Sequence, residues 1–318
     1  MFSFGAILTI LCSIGWASAD VLRKKLAADR APLALSVRLA ATQLLLVLLL
    51  SPLLHMAELE GWSAWRLEPA YWLYALPTFV CSSIGHLLFI KALRTSDLSL
   101  TIPFLSFSPI FVMLTGVLLL GERPSLLAGF GICVVVLGAV KLDKRGAQAA
   151  PERPDGASAG VRDDARDDAY RRGRLLMLGT ALSWSIAAAF DKGAVTQSAP
   201  LTHLILLLAA TCSLLTLFKK WLQPSGGAGG GTGQEQRKGQ LLKDRQLWLT
   251  SAVMLLSFAL QLAAYTHWEV AYVESVKRAI GLICSVAFGA FIFHEEDPAS
   301  RLPAVLTMGV GSTCVILG

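Results

Sequence analysis

The chain has 318 residues, of which 54% are hydrophobic and only 16% charged, and its 28 Lys and Arg against 22 Asp and Glu give a formal net charge of +6. A mean hydropathy of +0.59 excludes a soluble protein, because no water-soluble core of this size hides apolar runs of spanning length recurring along nearly all of the chain. Such runs lie at 4–22, 33–51, 70–90, 98–121, 125–141, 174–191, 201–218, 247–266, 271–293 and 303–318. They are expected to be ten transmembrane α-helices. Barrel strands would alternate in polarity, whereas stretches such as "LLLVLLLSPLL" are apolar on every side.

The first run begins without a basic leader and carries Asp20 near its end, so it is expected to be a retained helix. Trp16, Asp20 and Lys24 are spaced four apart and share one face, where Asp20 and Lys24 either form an ion pair at the helix end or face the middle of the bundle. Arg38 and Gln43 in the second run and His86 in the third are further intramembrane polar groups. Arg38 is placed to snorkel, and His86 to meet a cavity or pack as a satisfied histidine. The fourth run is interrupted by Pro103 and Pro109, which free backbone carbonyls near Phe104, Ser106 and Ser108, a pattern found at transport sites and also in ordinary packed helices. All six cysteines (Cys12, Cys81, Cys133, Cys212, Cys284, Cys314) lie in apolar runs without metal or disulfide spacing and read as packing residues.

Residues 143–172, rich in Asp, Arg, Ala and Gly, have little to bury and are expected to be a disordered linker. "PSGGAGGGTGQEQRKG" at 224–239 reads as a second flexible connection. In the eighth run Gln261 and Tyr265 share a face, and Trp268 after it reads as an interfacial anchor beside solvated His267 and Glu269. The ninth run, "AYVESVKRAIGLICSVAFGAFIF", holds Glu274, Lys277 and Arg278 in its first turns. Glu274 neutralises both cations along one helix face, or it satisfies one and leaves the other facing a cavity, where Arg278 would grip a carboxylate or phosphate and Lys277 would act as a point charge. Contact with lipid headgroups is a third possibility.

The halves on either side of the linker echo each other in register. "SIGWASADVLRKKL" lines up with "ALSWSIAAAFDKGAV", pairing Trp16 with Trp184 and Lys24 with Lys192; "APL" at 31–33 meets "APL" at 199–201; "LAAT" at 39–42 meets "LAAT" at 208–211; and "GFGICVVVLG" at 129–138 meets "GVGSTCVILG" at 309–318. A five-helix unit used twice places its second copy upside down, so the expected fold is an all-α integral membrane protein of two inverted five-helix repeats, 1–142 and 173–318. The glycines of the last pair suit close packing of the fifth and tenth helices.

The five-plus-five duplication, with "SPIFVMLTGVLLLGERPSLLAGFGICVVVLGAV" closing the first half, resembles the EamA-like permeases of the drug/metabolite transporter superfamily. The resemblance implies a permease that carries small molecules across a bacterial inner membrane, with the third, fourth, eighth and ninth helices around a central cavity. The residues expected to bind substrate are Trp16, Asp20, His86, Phe104, Ser108, Gln261, Tyr265, Glu274, Lys277 and Arg278. No catalytic residue, metal or cofactor is called for. The partners expected are a small-molecule substrate and membrane lipids, with a homodimer left open and no nucleic acid. Two rival functions stay open: a lipid-headgroup flippase using the same cavity, and a membrane enzyme on lipid-linked substrates, whose one dense candidate is "FHEED" at 293–297. The loops after the odd-numbered helices, from "LRKKLAADRAP" onward, hold most of the basic residues, so both termini are expected outside the cytoplasm, reversed from the usual member of that family.

Overall fold

The computed structural model describes residues 4–27, 30–56, 67–95, 102–121, 123, 125–148, 159–222, 244–292 and 302–317. Its α-helices are α1 (Phe4–Ala27), α2 (Pro32–Met56), α3 (Tyr71–Thr95), α4 (Ser108–Thr115), α5 (Leu126–Gln148), α6 (Ala159–Gln197), α7 (Pro200–Leu222), α8 (Arg245–Tyr265), α9 (Val270–Ile292) and α10 (Leu302–Leu317). Among the described residues there is no β-strand, only a single antiparallel bridge between Leu67 and Ser198. Six helices, α1, α2, α3, α6, α7 and α8, contain segments long and apolar enough to cross a membrane. The protein is a multi-pass, all-helical membrane protein. Glu122, the loop 224–239 and "FHEED" at 293–297 lie outside the described residues.

Two elements depart from the sequence reading. The run at 98–121 is not one α-helix: a 3-10 turn at Ile102–Phe107 leads into α4, and a π turn at Gly116–Leu120 follows it. The prolines explain the break, since Pro109 falls in the first turn of α4, where its missing N–H has no intrahelical acceptor to serve. Gly121 ends the π turn at φ +66, a left-handed conformation in which a Cβ would be strained, and its N–H reaches Gly116 O. Helix α6 starts at Ala159, inside the stretch expected to be a linker. The sequence of that segment is rich in Ala and Arg, which favour a helix.

The outer surface is apolar: Leu49, Leu73, Leu118, Leu126, Phe130, Leu217 and Trp221 are all exposed. A bilayer accepts such a surface, whereas water would not. Inside, Thr9, Ser36, Thr42, Ser83, Thr180 and Ser275 lie buried, the hydroxyls of several returned to the carbonyl four residues back, as with Ser83 to Phe79 O at 2.7 Å and Ser275 to Ala271 O at 2.6 Å.

Helix α1 packs antiparallel on α8, with Phe4 against His267 at one end and Arg30 paired with Asp244 at the other. Asp244 also caps α8, accepting from Leu247 N at 3.2 Å. Helix α3 packs on α6 in the same manner, α2 lies on α7, α5 on α10, and α4 on α9. The α3–α6 crossing is close because Gly85 has no side chain; a Cβ there would sit 2.6 Å from the Trp184 Nε1. Two large apolar clusters fill the bundle, one around Leu204, Leu262 and Val273, the other around Leu39, Phe89 and Met177.

Candidate functional site

Glu274 lies one turn into α9, and the 3.6-residue repeat sets Lys277 and Arg278 over it. Its carboxylate is buried and meets the Lys277 ammonium, while Tyr265 at the end of α8 donates its hydroxyl to Glu274 Oε1 at 2.8 Å. Gln261, one turn earlier on α8, donates from Nε2 to the Tyr265 oxygen at 2.6 Å. The Gln261 Oε1 accepts from both Lys277 Nζ at 3.1 Å and Trp16 Nε1 at 2.7 Å. Five of the residues singled out from sequence thus form one hydrogen-bonded network across α1, α8 and α9.

Arg278 stands at its edge. Its Nη2 is 3.7 Å from Glu274 Oε2, beyond hydrogen-bond reach, and its buried Nε has no partner among the described residues. Glu274 therefore serves Lys277 closely and Arg278 only at longer range, which leaves the trio with one positive charge in excess.

A second cationic group lies on the α1 face, where the sequence reading needs correction. The first apolar run ends at residue 22, which assigns Arg23 to a loop, but α1 continues to Ala27 and Arg23 is 1% exposed. Asp20 pairs with Arg23, three residues on, where the reading had weighed an Asp20–Lys24 pair. The Arg23 guanidinium carbon lies 4.3 Å from the Phe89 ring centre, 5.5 Å from that of Trp16 and 5.8 Å from that of Trp184. Among the described residues its Nε and Nη1 have no hydrogen-bond partner, and neither has His86 Nε2 beside Trp184, whose ring is 6.3 Å away. A buried unpartnered N–H costs about 1–3 kcal/mol, which the aromatic faces offset in part. Orphaned donors of this kind match the oxygens of an anion. Trp16 belongs to both groups, so a polar column runs from Glu274 through Trp16 to Arg23. The signal for Arg23 was available: it follows Trp16 by seven residues and Asp20 by three, on their helix face.

Phe104 and Ser108 flank this column. Phe104 is buried in the same apolar cluster as Phe89 and Trp184, with the Arg174 guanidinium 5.1 Å over its ring. Ser108 is buried with its hydroxyl unpartnered among the described residues, while its carbonyl accepts from Ser185 Oγ at 3.2 Å. His267 is exposed on the turn after α8, as expected, and Trp268 O beside it accepts from Lys192 Nζ at 3.3 Å.

A third polar group was not singled out from sequence. Asp191 on α6 is buried, its Oδ1 3.0 Å from His203 Nε2 on α7 and 3.1 Å from the Thr78 hydroxyl on α3; His203 Nδ1 is 3.0 Å from the Tyr71 hydroxyl. Asp191 closes the apolar run at 174–191, so it reads as a boundary charge until α6 is seen to continue to Gln197. Among the described residues no group of three or more His, Cys, Asp or Glu could hold a metal ion.

Residues 3–142, which span α1 to α5, match the EamA-like transporter family. This part of the chain is similar to EamA-like transporters. The Trp16, Asp20, Arg23 and His86 positions all fall within the EamA-like segment, whereas Gln261, Tyr265, Glu274, Lys277 and Arg278 lie beyond it. A solved structure described only as "Crystal structure of protein" is similar in fold at a TM-score of 0.65, with 14% identity, over 100% of this chain and 98% of that one. No curated protein matches the chain.

Proposed function

We propose that the chain is a secondary transporter that carries a small anionic metabolite across a bacterial inner membrane by alternating access between two inverted five-helix repeats, 1–142 and 173–318. The observation that carries this reading is Arg278, a half-buried side chain whose buried Nε has no partner among the described residues, beside an already neutralised Glu274–Lys277 pair. A charge costs about 3 kcal/mol near the middle of a membrane, so a surplus cation there is retained for something that binds it. The orphaned Nε and Nη1 donors of Arg23 extend the same preference for an anion along the column. The chemistry is binding and reorientation, not bond making.

The inverted-repeat reading is supported by how the helices pair. Exchanging α1–α5 for α6–α10 turns the α1–α8 contact into α6–α3, the α1–α9 contact into α6–α4 and the α2–α8 contact into α7–α3, while α2–α7, α4–α9 and α5–α10 map onto themselves. All of these contacts occur. Trp16 meets Phe258 and Gln261 of α8, as Trp184 meets His86 and Phe89 of α3, three residues apart in each case. Two such halves can rock about a shared axis and open one site to either side in turn.

Uptake into proteoliposomes of a panel of amino acids, nucleotides, choline and sugar phosphates tests the proposal. An anionic member is expected to accumulate; transport of choline alone, or lipid movement between leaflets without solute uptake, would replace this reading. The excess of basic residues in the loops after α1, α3, α5 and α7 supports termini outside the cytoplasm. A cytoplasm-only fluorescent reporter fused after Gly318 is then expected to stay dark, while a periplasm-active enzyme fused there is active.

A further inference from the structure

The cluster of Asp191, His203, Tyr71 and Thr78 is not required by the anion site, and the sequence echo does not call for it: in register with Lys24 and Lys192, Asp191 falls opposite Arg23, and His203 opposite Leu35. Its members come from three helices, each is buried, and His203 stacks on Phe79 with ring centres 6.5 Å apart. We propose that this cluster is a proton site that couples anion carriage to proton movement, one proton with each monoanion; the inference rests on the transporter reading above.

The geometry suits two protonation states with the heavy atoms in place. With a neutral imidazole, His203 Nε2–H donates to the Asp191 carboxylate at 3.0 Å and the Tyr71 hydroxyl donates to Nδ1 at 3.0 Å. When a proton reaches the Tyr71 oxygen, the hydrogen already on it passes to Nδ1. The product is an imidazolium that donates from both nitrogens, to Asp191 and to the Tyr71 oxygen, and a phenol of unchanged composition. Reversal releases one proton. Tyr71 is the first residue of α3, one turn from exposed Glu68, so the chain of donors starts near the end of the bundle. The Thr78 hydroxyl, 2.9 Å from Ala187 O and 3.1 Å from Asp191 Oδ1, can turn its single hydrogen to whichever oxygen carries more charge.

The charges around the cluster connect it to the anion site. On α3 the nearby titratable groups are Tyr71 and Cys81; on α6, Lys192, whose Nζ reaches Trp268 O at 3.3 Å; on α7, His203; on α8, Tyr265, which continues to Glu274 of α9. An anion bound at Arg278 adds one negative charge to a low-dielectric interior, and a proton on His203 offsets it. Anion and proton therefore favour each other's binding.

Nitrogen-15 NMR of histidine-labelled full-length protein in liposomes tests the proton site without any substrate. The His203 signals, identified by their loss in His203→Gln, are expected to change from a neutral to an imidazolium pattern as the buffer is acidified. Asp191→Asn keeps the shape but removes the carboxylate that the imidazolium faces, and is expected to leave His203 in the neutral pattern at the acid buffer where the wild type has changed. A His203 pattern that stays constant wherever the protein is folded, or one that changes equally in Asp191→Asn, overturns the proposal. In the same liposomes, an acid exterior is expected to raise uptake of the panel anion carried by the wild type about tenfold, within the ordinary range of coupling between two sites. Asp191→Asn should lose that stimulation while still exchanging labelled for unlabelled anion. Uptake indifferent to the gradient overturns coupling; if no panel compound moves at all, the transporter reading fails and the NMR titration still decides the proton site.

Discussion

The α1 face and the α6 face present the same aromatic frame with opposite charge. Each has a tryptophan, Trp16 or Trp184, inserted against the neighbouring helix, and seven residues later a buried ionic group, Arg23 in the first case and Asp191 in the second. Arg23 keeps two nitrogens without partners among the described residues inside a cage of rings, whereas Asp191 is held by His203 and Thr78. One scaffold thus carries an open site on one face and a closed one on the other. The packing of a repeat fixes where a group sits, and the residue placed there decides whether it waits for a ligand or is already satisfied.

The sharpest way to break that contrast is to unbalance a closed pair. Glu274→Ala strands the buried Lys277 ammonium with Gln261 as its remaining partner, and a loss of about 3–5 kcal/mol is expected in thermal unfolding of the detergent-solubilised protein. Glu274→Ala with Lys277→Ala should recover part of that loss, and a double variant no more stable than the single one would mean that the pair does not act as a unit. Arg278→Ala removes an open cation instead. Its melting is expected to stay near that of the wild type while anion uptake falls about 10- to 100-fold, the worth of a hydrogen bond to a charged group. A smaller effect is expected from Trp16→Phe, which keeps an aromatic face near Arg23 while losing the donor to Gln261, a hydrogen bond worth about 1 kcal/mol, and part of the ring surface.

The elements with the longest apolar runs were readable from sequence, because a spanning helix announces itself by length alone. α4 was not readable to the same degree: its prolines signalled a break, but how the chain divides into a 3-10 turn, one short helix and a π turn depends on packing against α6 and α9. For the candidate site, Gln261, Tyr265, Glu274, Lys277 and Arg278 could be found because polar groups in apolar runs stand out. Arg23 and Asp191 were obscured for the opposite reason. Each lies where a run gives way to charged residues, and only the extra turn of α1 and of α6 puts them inside the bundle. The pairing of Asp20 with Arg23 was missed on the same ground, since Arg23 had been assigned to solvent.

The central claim is that one buried site, flanked by α4, α6 and the α1–α9 column, opens to both sides of the membrane in turn. Ser108→Cys in a background with the six native cysteines replaced is a mild probe of it, since the serine is buried and its hydroxyl has no partner to lose among the described residues. Labelling with a membrane-impermeant thiol reagent in right-side-out and in inverted vesicles, with and without the anion carried in the uptake panel, reads the exposure of this position from each face. Reaction from both faces, slowed in each case by the transported anion, is the result expected; reaction from one face only, or rates untouched by that anion, would contradict alternating access at this site.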